Sequence, residues 1–346
     1  MTAHFESVDD VRDRLAEAGY LASDAIATTV FLADALGKPL LVEGPAGVGK
    51  TELAKAVTSA LTGATGENAD LVRLQCYEGI DEARALYEWN HAKQLLRITA
   101  NTALAQASSS GAAASTSTTN SAADAQPDAT PGASGVASTN ASSPVGSPSG
   151  GAAHDWDELA TDIFTDDFLL TRPLLRAIRN TQPTVLLIDE LDKADVEVEG
   201  LLLEVLSDFQ VTVPELGTIS ATQRPFVVLT SNAARDLSEA LRRRCLFLHI
   251  DYPTPALEQR IVELKVPGLD AALVESVVRL VHRLRQMPLR KAPSVAETVD
   301  WARTLIALGA DGTGDLDATV LRANLGVLLK HQDDIERAST LLKLDA

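Results

Sequence analysis

Eight consecutive residues, Gly44-Pro45-Ala46-Gly47-Val48-Gly49-Lys50-Thr51, constrain this chain more than any other feature of it. They fit the spacing GxxxxGK[ST], and their flanks fit it as well. Lys38-Pro39-Leu40-Leu41-Val42-Glu43 reads as a short apolar strand, and Thr51 to Leu61 as a helix. Glycines at these spacings let backbone N–H groups converge on a phosphate, and the start of the helix adds partial positive charge. The motif therefore predicts that Gly44, Pro45, Ala46, Gly47, Val48 and Gly49 cradle the phosphates of a nucleotide. Lys50 would sit on its β- and γ-phosphates, and the Thr51 hydroxyl would ligate magnesium.

A second set of polar residues follows far downstream. Leu186-Leu187-Ile188-Asp189-Glu190 puts two carboxylates at the end of an apolar, β-branched run typical of a buried parallel strand. Strand ends often carry solvated acids, so the pair gains meaning only after a phosphate loop. There Asp189 would hold magnesium through its water shell, and Glu190 would orient and polarise an attacking water. The run Phe226 to Thr230 ends in Ser231-Asn232. Asn232 there could lie between the water and the γ-phosphate, or simply cap the next turn. Leu241-Arg242-Arg243-Arg244-Cys245 stacks three arginines at a helix end, a place that favours cations in any case.

Along the chain, Val8 to Leu36 carries two amphipathic helical segments. Leu71 to Cys76 reads as a second strand, and Asp81 to Ile98 as a helix. Further strands are expected at Thr184–Ile188, Phe226–Thr230 and Leu246–Ile250. Helices are expected at Leu174–Asn180 and Val196–Phe209, with a hairpin between Gln210 and Ile219. After Pro253 and Pro255 only helical periodicities remain, to Leu342. Strands alternating with helices, then a helical tail, predict a parallel α/β domain over residues 1–252 and an all-α lid over residues 253–346.

Residues 101–153 interrupt this pattern. They are mostly Ala, Ser, Thr, Gly, Pro and Asn, with Asp124 and Asp128 as the only charges. Such a segment buries too little apolar surface to offset the ordering of its backbone, which predicts a flexible insertion rather than a domain boundary. The rest is rich enough in apolar residues for a core, 45% of the chain against 4% aromatic, so that core is expected to be aliphatic.

These motifs, in this order, resemble the AAA+ ATPases: Gly44–Thr51, Asp189-Glu190, Asn232, then Arg243 or Arg244 ahead of a helical lid. The resemblance implies ATP and Mg2+ as ligands and a P-loop ATPase activity. It also implies an arginine finger, at Arg243 or Arg244, that reaches the nucleotide of a neighbouring subunit. Arg244 is the better match by position, because it directly precedes a strand. The active site would then be completed in a homo-oligomer, a hexameric ring in the family pattern.

Three further stretches resemble the MoxR branch of that superfamily. They are Gln75-Cys76-Tyr77-Glu78-Gly79-Ile80-Asp81, Ala85-Leu86-Tyr87-Glu88-Trp89-Asn90, and Phe168-Leu169-Leu170-Thr171-Arg172-Pro173-Leu174-Leu175. Within that branch they are most similar to the CoxD-like subgroup, as is the lid stretch Pro293 to Arg303. The resemblance implies a chaperone ATPase that matures a molybdenum-containing metalloenzyme such as carbon monoxide dehydrogenase, with a von Willebrand A-domain (VWA) protein as partner. One position departs from the pattern. Many MoxR relatives carry an arginine after a proline at the start of a lid helix, whereas here Ser294 follows Pro293. Arg290, Lys291 and Arg303 are the nearby cations that could serve instead.

Asn232-Ala233-Ala234-Arg235-Asp236 and Ala240 to Arg244 also resemble the restriction GTPase McrB, which offers a nucleic-acid motor as the alternative. The formal charge of −18 argues against nucleic acid, since such a surface repels phosphate backbones. Cys76 and Cys245 lack CxxC spacing, so neither a zinc site nor a disulfide framework is expected. The N-terminus shows no signal-peptide pattern and no window is apolar enough to span a membrane, so a cytoplasmic location is expected.

Overall fold

In the computed structural model, residues 3–113, 163–309 and 318–342 are described. They divide into two compact units. The first comprises Met1–Tyr87, Thr171–Val213 and Gly217–Ala346; the second comprises Glu88–Leu170 with Pro214–Leu216.

The first unit is built on a five-stranded parallel sheet. Its strands are β1 (Leu40–Glu43), β2 (Asp70–Gln75), β5 (Thr184–Asp189), β8 (Phe226–Ser231) and β9 (Leu246–His249), in the order β2-β5-β8-β1-β9. All six residues of both β5 and β8 are buried, which is why they read as unbroken apolar runs. Register sets Leu40 beside Val228 and Glu43 beside Ser231, and it sets Gln75 beside Asp189. The carboxyl ends of four strands therefore meet on one edge, the place where parallel α/β sheets bind ligands.

Local chemistry fixes the flanking helices. Helix α1 (Val8–Glu17) starts at Ser7, whose hydroxyl accepts the Asp10 N–H, and α2 (Asp24–Leu36) starts at Ser23 in the same way. Helix α3 (Lys50–Thr65) leaves the phosphate loop at Gly49 and stops at Gly66, whose φ of 73° few other residues tolerate. Val11, Leu15, Val30, Leu53, Val57 and Leu61 from these helices pack with Leu40, Val42, Val185 and Val228 of the sheet.

The C-terminal helices belong to the same unit. They are α9 (Pro255–Lys265), α10 (Ala271–Arg285), α11 (Val295–Ala307), α12 (Ala318–Leu328) and α13 (Gln332–Leu341). Val277, Val281, Leu284, Trp301, Leu305 and Leu325 form their core. The expected combination of a parallel α/β domain and a helical lid is thus the fold observed.

The largest departure from expectation runs from residue 81, in the first unit, into the second. The stretch Asp81 to Ile98 is not one helix. A single turn, α4 (Glu82–Ala85), gives way to β3 (Tyr87–Trp89), and α5 begins only at His91. Strand β3 pairs with β4 (Leu169–Thr171) from far along the chain. Tyr87 and Trp89 alternate with Glu88, a strand pattern too short to stand out beside helical neighbours. The Trp89 ring meets Phe164 edge to face at 5.1 Å, and Lys93 lies 5.0 Å over the Phe168 ring. Helix α5 (His91–Ala113) also runs past Ile98 into the Ala/Ser-rich segment. Alanine is the strongest helix former, so a low-complexity run can continue a helix already started. The remainder of the expected insertion, residues 114–153, lies outside the described residues.

The other short elements follow the sequence with shifts of one or two residues: α6 (Pro173–Arg179), α7 (Val196–Asp208), the hairpin β6 (Gln210–Val213) with β7 (Gly217–Ser220), and α8 (Glu239–Arg244). Among the described residues, no helix is long and apolar enough to cross a membrane.

Candidate active site

The loop between β1 and α3 has the backbone its glycines suggest. Gly44, Gly47 and Gly49 have φ of 154°, 74° and 98°. A Cβ on Gly44 would stand 1.9 Å from the Ile250 carbonyl oxygen, and one on Gly47 would stand 2.5 Å from Ser294. Both positions need glycine on conformation and on space. The fit to a phosphate rests on this cradle, because it leaves the peptide backbone bare where a bulkier loop would be filled.

Lys50 is 7% exposed, and its ammonium donates to the carbonyls of Gly44 (2.7 Å) and Pro45 (2.8 Å) and to Asn232 Oδ1 (2.8 Å). Burial pulls its pKa below the usual lysine range, against the opposing pull of Asp192, Asp189 and Glu190. The Thr51 hydroxyl lies 3.1 and 3.3 Å from the two Asp189 carboxylate oxygens. Asp189 also accepts from the Thr230 hydroxyl at 2.6 Å, and that same oxygen accepts the Glu190 N–H at 3.0 Å. A hydroxyl and a carboxylate converging in this way are hard oxygen donors, the set that suits magnesium.

Glu190 follows the strand with φ of 56°, a left-handed conformation that turns its side chain off the line of β5. Its carboxylate accepts from Gln75 Nε2 at 2.8 Å and from Lys193 Nζ at 2.7 Å, and this bond holds the Lys193 ammonium above its ordinary pKa. Asn232 is aimed at Lys50 by its backbone. Its own N–H and that of Ala234 donate to the two oxygens of the buried Asp192, each at 3.1 Å. The Asn232 amide therefore points into the site, and no cap of the next turn is needed to account for it.

A cavity of about 780 Å³ opens at this edge of the sheet. The residues from Ala46 to Thr51 line it, together with Asp189, Glu190, Thr230 and Asn232. Tyr20 and Tyr252 stand on its wall, and Val295, Ala296, Asp300 and Arg303 close it from α11. Of the three nearby lid cations, Arg303 borders the cavity and Arg290 and Lys291 do not; Lys265 of α9 borders it as well. Ser294, at the departing position, caps α11 with a full capping box through Glu297 and sits against Gly47.

The three arginines of α8 have separate fates. Arg242 pairs with Glu43 at 2.6 Å, and Arg243 pairs with Glu239 on its own helix at 2.9 Å. Arg244 is exposed and makes no hydrogen bond or ion pair with a described residue. Neither Arg243 nor Arg244 lines the cavity of its own subunit.

Sequence reasoning missed two residues here, Arg73 and Gln75, whose side chains reach Asp189 and Glu190. The signal was the polar pair at spacing two near the end of β2, which places both on one face of the strand. Both cysteines are free, and burial pushes each thiol up to about 12, so neither offers a thiolate. Among the described residues no group of three or more His, Cys, Asp and Glu is arranged to hold a metal ion.

No curated protein matches the chain. Residues 154–252 match the model of the ATPase family associated with various cellular activities (AAA), a segment that carries Asp189, Glu190, Asn232 and the three arginines. The parallel sheet, the glycine loop at its edge and this match give the chain the fold of an α/β P-loop nucleoside triphosphatase with a helical lid, and support an AAA-type ATPase.

Proposed function

We propose that the protein hydrolyses ATP, with Mg2+, in a ring of identical subunits, and uses the cycle to remodel a client protein. The observation that carries this reading is the convergence of Lys50, Thr51, Asp189, Glu190 and Asn232 on one cavity from three separate stretches of the chain, the start of α3 and the ends of β5 and β8. Glycines 44, 47 and 49 present backbone N–H groups to the phosphates, and Lys50 exchanges its bonds to Gly44, Pro45 and Asn232 for phosphate oxygens. Thr51 and Asp189 would hold the metal, which would neutralise charge on the phosphates. Glu190 accepts a proton from the water it orients, and Asn232 fixes that water from the other side. Gln75 and Lys193 both donate to Oε2 of Glu190, which leaves Oε1 to take the water's proton.

Arg244 is the cation best placed for a neighbouring subunit, since Arg242 and Arg243 already have partners. Arg303 and Lys265 are the lid cations that border the cavity. The MoxR-like and CoxD-like stretches extend the proposal to the client: a molybdenum-containing metalloenzyme such as carbon monoxide dehydrogenase, presented with a VWA-domain partner in the cytoplasm. The direct test is phosphate release from ATP and from GTP with and without Mg2+, together with particle size by light scattering with nucleotide present. Magnesium-dependent release from ATP by an oligomer supports the reading, and a monomer that binds no nucleotide refutes it.

A further inference from the structure

Arg73 lies on β2, the edge strand of the sheet, two residues before Gln75 and on the same face. Its guanidinium donates to Asp189 Oδ2 at 2.5 Å and also to the Gln75 amide oxygen. The Asp189 side chain is 4% exposed, whereas that of Arg73 is 51% exposed. The other side-chain donors to this carboxylate, Thr51 and Thr230, are neutral hydroxyls. Lys50 spends its ammonium on two carbonyls and Asn232. Among the described residues, Arg73 is therefore the one cation hydrogen-bonded to Asp189. A buried carboxylate without a partner is costly, so this contact has a physical purpose.

We infer that Arg73 is the resting counter-ion of Asp189 and competes for that carboxylate with the magnesium that accompanies a bound nucleotide. The inference rests on the nucleotide reading given above. A half-exposed arginine on an edge strand can turn out into water at little cost. A divalent cation between Thr51 and Asp189 would supply the charge that Arg73 now supplies. The built-in cation then sets a threshold: the metal is held only when the nucleotide's phosphates add enough affinity to displace the guanidinium. Arg73 also donates to Gln75, and Gln75 donates to Glu190. Release of Arg73 thus frees a restraint on Asp189 and one on Gln75, the residue that holds Glu190, and the end of β2 reports occupancy.

The test is a Mg2+ titration of fluorescent ATP-analogue binding to the full chain, for wild type, Arg73→Gln and Arg73→Lys, with no turnover needed. Exposed or half-exposed ion pairs contribute modestly, so Arg73→Gln should lower the half-saturating Mg2+ concentration about two- to fivefold. Arg73→Lys keeps the charge but loses the planar fork, and should fall between that variant and wild type. It carries the test alone if Arg73→Gln fails to fold. A half-saturating concentration equal to or above that of wild type in the folded variants overturns the inference while leaving the nucleotide reading intact. A wild-type chain that binds no nucleotide overturns both.

Discussion

The Lys50 ammonium donates to the Asn232 side-chain oxygen at 2.8 Å, joining residues 182 positions apart in the sequence. One comes from the loop after β1 and the other from the end of β8, neighbouring strands in the sheet. The bond holds the phosphate-facing cation and the candidate water-facing amide in one line. It separates their roles by substitution. Lys50→Ala should weaken nucleotide binding by at least about tenfold, since a charge-assisted bond to phosphate contributes 1.5 kcal/mol or more. Asn232→Ala should keep affinity within a few fold and slow turnover. Fluorescent nucleotide titration and phosphate release distinguish the two, and equal loss of affinity in both variants would refute the division.

Glu190→Gln keeps shape and hydrogen bonding but cannot accept the proton of the attacking water. The rate of phosphate release should fall by about 10² or more, with ATP still bound. Retention of labelled ATP on gel filtration is the readout. A wild-type rate in this variant would show that Glu190 does not act on the water.

On the proposed role of Arg244 as a finger to a neighbouring subunit, Arg244→Ala should retain ATP and lose hydrolysis. In GTPases such a finger contributes about 10³–10⁵ in rate. Mixing Glu190→Gln with Arg244→Ala, each inactive alone, should restore part of the activity at interfaces that pair an intact Glu190 with an intact Arg244. Recovery should rise with protein concentration. Arg243→Ala, which breaks only the pair with Glu239, should remain active. No recovery on mixing would place Arg244 outside the reaction.

Arg285 is the keystone of the lid. Its fork donates to the fully buried Glu258 at 2.6 and 2.8 Å, its Nε donates to the Pro293 carbonyl at 2.8 Å, and its plane lies 4.5 Å over the Tyr252 ring. Arg285→Ala leaves the buried Glu258 carboxylate with only His282 and Thr298 as side-chain partners, which should cost about 3 kcal/mol by urea unfolding. It should also loosen Ser294 from Gly47 and weaken nucleotide binding. The double variant Glu258→Leu/Arg285→Met should recover most of the stability. A single variant as stable as wild type would show that the pair holds nothing together.

The N-terminus should make stability depend on pH. His4 Nδ1 lies 2.7 Å from the Asp34 carboxylate, which also accepts the backbone N–H groups of His4 and Phe5 at 2.6 and 3.1 Å. The hydrogen bond to Asp34 raises the His4 pKa above its ordinary value, partly offset by burial. A raised folded-state pKa means that the contribution is full below about pH 6.5 and is lost as pH rises through the folded value. The stability difference between wild type and His4→Gln should therefore shrink between about pH 6 and 8. Urea midpoints across that range check the sign, and a difference that grows with pH would reverse the assignment.

The sequence by itself determined whatever depends on local chemistry. Glycine spacing before a Lys-Thr pair specifies a phosphate cradle, because the conformations and clearances at Gly44 and Gly47 admit no other residue. The apolar runs at Thr184–Asp189 and Phe226–Ser231 specify buried parallel strands, because only a fully covered sheet hides them. The alternation of elements then implied the fold class. Tertiary structure decided what depends on distance in the chain. Tyr87–Trp89 became a strand because β4, more than eighty residues away by the numbering, offers it an edge. Helix α5 outran the expected boundary because helix propagation needs no core. Arg303 borders the cavity because the packing of α11 turns the face that carries Val295, Val299 and Arg303 toward it, whereas Arg290 and Lys291 precede that helix. The counter-ion of Asp189 is a residue of the neighbouring strand, set by register between β2 and β5. Register is a property of paired strands, and a single chain read in order carries no direct sign of it.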